Sequence, residues 1–153
     1  ADALRAAGRD GATYRLGPAS GPGALEQAAE AALRAGGPVV FSAYVQPVPW
    51  RGAIGLPARA RALAERIGAA RPLVFISFGD PYLASGLPAS TALLAWSDAP
   101  VVQAAAARAV LGLAPITGTL PVRIPPDYPA GYGLARWPAP AWPAPPGAPP
   151  GPW

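Results

Sequence analysis

A chain of 153 residues that is 52% hydrophobic and 13% charged can bury the core of one domain and is too apolar to remain disordered. It contains no Cys and no His, which excludes disulfides, thiolate metal sites, a cysteine nucleophile, and the commonest general base and transition-metal ligand. The net charge of +4 rests on twelve basic residues, all arginine, against eight scattered acids that form no ligand-spaced cluster, so no metal and no cofactor is expected.

Residues 2–8 suit a short helix and residues 12–16 a short strand. The stretch from Gly17 to Gly23, rich in Gly, Pro and Ser, is a loop. Ala24 to Arg34 carries Leu25, Ala29, Ala32 and Leu33 near helical spacing, and Gly36-Gly37 stops that helix. Pro38 to Val45 predicts a buried strand, followed by a loop with Pro47, Pro49, Trp50, Arg51 and Gly52. Leu56-Pro57 opens a further helix, with Pro57 suited to its first turn, Leu63 and Ile67 on its apolar face and Gly68 near its end.

Leu73 to Phe78 is almost continuously apolar, broken only by Ser77. Such a run predicts a strand covered on both faces, as in a parallel sheet between helices. The turn Gly79-Asp80-Pro81-Tyr82 then stands at the strand's carboxyl end, where open α/β sheets place their ligands. Thr91 to Trp96 predicts another strand, and Asp98 a cap for the helix that runs to Leu111 and stops at Gly112. Leu120 to Ile124 suits an edge strand, because Pro121 cannot donate to a ladder. The order of elements predicts an α/β fold, a three-layer sandwich with a mostly parallel sheet between helices, over residues 1–136. Residues 137–153 change character to a Pro/Trp-rich tail that favours polyproline II and reads as a linker or a surface strap.

No apolar run approaches the ~18 residues of a membrane span, and no signal peptide is visible. The chain opens on Ala1 rather than Met, as a processed product or a piece of a longer protein would. Arg51, Arg59, Arg61, Arg66 and Arg71 alternate with apolar residues on a helix, the pattern of a solvated face, so no nucleic-acid partner is expected. The lack of Asn, Met and Cys suits a thermophile, and equally a biased genome. Four residues are candidates for ligand contact or a domain interface. Asp80 can fix its turn by accepting backbone amides, or can meet a sugar hydroxyl or an arginine of a partner. The Tyr82 ring suits packing beneath the following loop, or stacking on a sugar. Trp50 and Arg51 follow the preceding strand, on the same edge as Asp80 if the strands are parallel.

An ordered set of segments carries a resemblance. It comprises Arg51 to Pro57, Val74 to Leu83 with its Phe-Gly-Asp-Pro-Tyr core, Leu87-Pro88, Ala95 to Pro100 and Gln103 to Ala109. Gly112, Gly118 to Val122 and Tyr128 to Leu134 complete it. Together these segments resemble the C-terminal domain of family-3 glycoside hydrolases, in the bacterial β-N-acetylhexosaminidase branch. The resemblance implies an α/β sandwich that follows a TIM-type catalytic barrel, in the same or a separate chain. In that branch the barrel supplies both the aspartate nucleophile and the His-based acid/base. In the glucosidase branch a glutamate of the second domain supplies the acid. No glutamate here maps onto it, since Glu26, Glu30 and Glu65 are expected to face solvent on helices. The family often closes its last motif with Gly-His-Gly, where this chain has Gly131-Tyr132-Gly133. A secreted or periplasmic address is expected over a cytoplasmic one.

The function expected from these features is a non-catalytic accessory domain that braces a barrel, with a carbohydrate as a further candidate partner. The chain alone is expected to be inactive. The alternative is a stand-alone structural, assembly or binding module, assembling through its edge strand or its tail. A small-molecule enzyme using the strand-end crevice is a third class, unsupported by any Gly-rich phosphate loop.

Overall fold

The computed structural model describes Leu4 and residues 11–45, 55–126 and 128–138. The expected helix at 2–8 (Leu4 apart), the loop holding Trp50 and Arg51, and the tail beyond Pro138 lie outside the described residues.

The described chain alternates helix and strand: α1 (Pro22–Arg34), β1 (Val39–Ala43), α2 (Ala58–Ala70), β2 (Leu73–Ser77), a 3-10 turn (Pro81–Ala84), β3 (Thr91–Leu94) and α3 (Pro100–Val110). The strands form one sheet in the order β1-β2-β3, and both pairs are parallel, with Phe41 beside Phe75 and Ile76 beside Leu93. Parallel neighbours need a crossover between them, and α2 supplies the one from β1 to β2.

Side-chain alternation along the strands builds two cores. On one face Val39, Phe41 and Leu73 meet Ala29 and Ala32 of α1 and Leu63, Ala64 and Ile67 of α2. The same face continues through Ala43 and Phe75 to Leu83, Ala84 and Leu56. On the other face Val40, Val74, Ile76 and Leu93 meet Val102, Ala106 and Val110 of α3. Helices therefore cover both faces, and the α/β sandwich is the observed architecture. Central β2 is buried on both sides, as its continuous apolar run requires, and Leu73 and Phe75 are inaccessible to solvent. Each such side chain contributes about 1.5–3 kcal/mol of transfer free energy.

The helix boundaries follow local chemistry. Pro22 and Pro100 occupy first-turn positions, where the missing N–H costs no intrahelical bond. Pro57 is the N-cap of α2 instead of lying inside it. Gly112, at φ 69, takes the left-handed conformation that closes α3. Asp98 does not cap α3. The N-cap is Ala99, whose N–H donates to Ser97 Oγ at 3.2 Å, while the Asp98 carbonyl receives Gln103 Nε2 at 2.7 Å. Gly68 is required for packing, because a Cβ there would overlap the Pro88 carbonyl oxygen.

Two expected strands are absent. Residues 12–16 form no strand and are exposed, so their β-forming side chains have no ladder to join. Leu120 to Ile124 is a loop with one isolated bridge, from Ile124 to Tyr128, and a second bridge, from Ile116 to Arg136, lies outside it. Pro121 interrupts any ladder in that stretch. Strands β1, β2 and β3 are also shorter than their sequence signals, each ending before the aromatic or apolar residues that follow it.

Candidate functional site

The parallel sheet sends the ends of β1, β2 and β3 to one edge, and a different aromatic residue follows each strand there. Tyr44 comes directly after β1, Tyr82 lies in the 3-10 turn after β2, and Trp96 follows β3 by two residues. Their exposures are 53%, 47% and 43%, so each ring presents about half its surface to solvent. Large aromatic rings left open together at one end of a sheet mark a contact surface more readily than scattered single exposures do.

The turn after β2 holds Asp80, 3% exposed. Its Oδ1 accepts the Tyr82 N–H at 2.8 Å, its N–H donates to the Val45 carbonyl at 3.2 Å, and its carbonyl accepts Ser77 Oγ at 2.6 Å. Ser77 is itself fully buried, so the turn is tied to the last residue of β2 and to the chain leaving β1. The other carboxylate oxygen, Oδ2, is buried and has no hydrogen-bond partner among the described residues. Asp80 thus fixes the turn, as an Asp before Pro can. Tyr82 is not fully covered by the loop after it. Trp50 and Arg51 lie outside the described residues, so only Asp80 and Tyr82 of the four sequence candidates are seen together.

Sequence reasoning missed Tyr44, Trp96 and Gln103. Tyr44 stacks on Phe78, with ring centroids 4.8 Å apart and planes 12° apart. Its hydroxyl donates to Gln103 Oε1 at 3.3 Å. Partial burial raises the Tyr44 hydroxyl above the ordinary tyrosine value, with Arg15 lowering it and Asp98 raising it. Trp96 adopts φ 63, a left-handed conformation that is unusual for a bulky residue and places it off the line of β3. The signal for both was local: an aromatic residue at the end of an expected strand.

Arg61 and Arg66 of α2, and Arg71 at its C-cap, are engaged elsewhere. Arg66 grips Glu26 through two bonds of 2.8 and 3.0 Å, and Arg61 reaches Glu65 and the Ser85 carbonyl. Arg71 donates to the carbonyls of Ala35 and Gly37. Glu30 pairs with Arg34 along α1. Glu26, Glu30 and Glu65 are each about half exposed, on the helix surfaces expected for them. Among the described residues no group of three or more acidic side chains is arranged to hold a metal ion. No helix among them is long and apolar enough to cross a membrane.

Compared with protein-family models, with curated proteins and with solved structures, the chain shows no significant match.

Proposed function

We propose that this chain is a non-catalytic accessory domain of a β-N-acetylhexosaminidase-like glycoside hydrolase, and that the carboxyl edge of its sheet faces the catalytic barrel. The observation that carries the reading is that each strand is followed by a half-exposed aromatic residue, Tyr44, Tyr82 or Trp96, and that the turn after β2 is pinned by Asp80. Aromatic anchors over a rigid scaffold suit a domain interface, where a few such rings carry most of the binding energy. The ordered segments that resemble the family's C-terminal domain run through this same edge, at Val74 to Leu83 and Ala95 to Pro100.

The chemistry favours bracing over catalysis. Retaining glycoside hydrolysis needs two carboxyl groups about 5–5.5 Å apart, one as nucleophile and one as acid. Here Glu26, Glu30 and Glu65 are paired with arginines on outer helices, and Asp80 is used within its own turn. The chain alone is expected to leave a chromogenic N-acetylglucosaminide unhydrolysed, and robust turnover would overturn the proposal. The gene's reading frame is expected to continue upstream through a barrel of some three hundred residues. A frame that begins just before Ala1 would favour a stand-alone module instead.

A further inference from the structure

Side chains alternate along β1, so Val39 and Phe41 join the core under α1 and α2, while Val40 and Ser42 face the α3 side. Among the described residues two helices cover the first face of the sheet, and α3 is the one packed on the second. Cover on the second face is incomplete at β1, a strand at the end of the sheet order, where Val40 is half-buried and Ser42 exposed. A cleft of about 350 Å³ lies there between β1 and α3, and its lining is mainly apolar, with Val40, Ile76, Phe78, Ala107 and Val110 in it. Apolar surface left open beside a sheet is unfavourable in water, and a further helix is what an α/β sandwich lays over it.

Leu4 identifies the occupant. It is helical, half-buried and part of the cleft's lining, although it is far from β1 and α3 in sequence. The residues around it have the pattern of a short amphipathic helix. At 100° per residue Ala3, Leu4 and Ala7 fall on one side, and Asp2, Arg5 and Arg9 on the other. Asp2 suits the first turn of such a helix and Gly8 its end. Where the described chain resumes, it stays near the same place. Tyr44 lines the cleft, and its hydroxyl, raised by partial burial, is lowered by the charge of Arg15. The other end of the described chain is different, because neither Trp137 nor Pro138 belongs to the lining.

We propose that the cleft between β1 and α3 is the docking site of the chain's own N-terminal segment, residues 1–10. Its short helix lays Ala3, Leu4 and Ala7 into the cleft and completes the second layer of the sandwich, while Asp2, Arg5 and Arg9 stay in water. The cleft is thereby closed from within instead of serving as a ligand pocket. This goes beyond the accessory-domain reading and holds with or without a barrel.

The chain has no Cys, so one introduced thiol carries a nitroxide without ambiguity. In the full ¹⁵N-labelled chain, a nitroxide at Ala6→Cys, across the helix from Leu4, is expected to broaden amides most strongly within residues 40–44 and 100–110. Amides of α2, on the opposite face of the sheet, are expected to be broadened least. Leu4→Ala is expected to lower the folding equilibrium constant, measured by urea unfolding, about tenfold, as the loss of a half-buried leucine requires. Arg5→Ala, on the solvent side, is expected to change it less than twofold. Broadening that is absent, or even over both faces of the sheet, overturns the proposal. So does the cleft pattern arising from a nitroxide at Ala148→Cys and not from the one at Ala6→Cys, which makes the C-terminal tail the occupant. The pattern seen only between nitroxide-bearing and ¹⁵N-labelled molecules in a mixed sample makes a second copy the occupant and overturns it too. An unchanged folding constant in Leu4→Ala overturns it equally, and should that variant not fold, the Ala6→Cys broadening decides. None of these outcomes bears on whether a barrel is encoded upstream, so the two proposals fail separately.

Discussion

Asp80 caps Tyr82: one carboxylate oxygen accepts the Tyr82 N–H at 2.8 Å, while the other is buried with no partner among the described residues. The two oxygens have opposite effects on stability. The first satisfies an amide at the start of the 3-10 turn, and the second carries a desolvation cost that nothing visible offsets. Asp80→Asn keeps an acceptor for Tyr82 and removes the formal charge. Its unfolding free energy is expected to match the parent or exceed it by up to about 1 kcal/mol. Asp80→Ala loses the cap and is expected to cost about 1–2 kcal/mol. Urea denaturation of the pair checks this, and an Asn variant as unstable as the Ala variant would show that the carboxylate is specifically needed.

Gly68 makes a prediction that runs against helix propensity. In an exposed helix interior, Gly→Ala is worth about 1 kcal/mol of stabilisation. Within α2, however, the new methyl would overlap the Pro88 carbonyl oxygen and approach Leu73 Cδ2 at 3.2 Å. Backbone cannot move aside as a flexible side chain can, so overpacking outweighs propensity. Gly68→Ala is expected to destabilise by about 1–3 kcal/mol, measured by thermal or urea unfolding.

The Glu26–Arg66 pair joins α1 to α2 and makes acid sensitivity predictable in sign. Its hydrogen bonds to Arg66 hold the Glu26 carboxyl below the ordinary glutamate range, and Glu26 in turn raises Arg66. A carboxyl depressed in the folded state stabilises the fold above its unfolded pKa. That contribution is lost as pH falls through the depressed value. Both side chains are about half exposed, so the effect on stability is small and screened by salt. Carbon-detected NMR titration is expected to show Glu26 titrating at lower pH than in an Arg66→Ala variant, where it returns to the ordinary range.

What the sequence reveals about this fold depends on burial. Strand β2 is legible because it is covered on both faces, which selects a near-unbroken apolar run from Leu73 onward. The three described helices are legible from alanine-rich apolar spacing and from prolines and glycines at their ends. Residues 12–16 mislead because Thr13, Tyr14 and Leu16 favour strands intrinsically, while pairing is a tertiary fact that intrinsic preference does not contain. Asp98 misleads because a good capping residue lies one position too early, with Ala99 and Pro100 setting the helix start. The site divides in the same way. Asp80 and Tyr82 are two residues apart and visible as a turn, whereas Tyr44 and Gln103 are 59 residues apart and meet only through the packing of α3 on β1.

Trp96 separates what the carboxyl edge does for folding from what it does for a partner. Its φ of 63 is a left-handed conformation, which costs a bulky residue about 1–2 kcal/mol and none for glycine. The ring is 43% exposed, so the apolar contact it contributes to the isolated domain is partial. Trp96→Gly relieves the backbone and forfeits that contact, two terms of similar size and opposite sign. The unfolding free energy of the isolated chain is therefore expected to change by no more than about 1 kcal/mol. If this edge docks on a barrel, the same substitution removes one of its aromatic anchors. Calorimetric titration against such a barrel is then expected to show affinity falling tenfold or more. A stable Trp96→Gly variant that binds the barrel as tightly as the parent would place the interface on another surface of the domain.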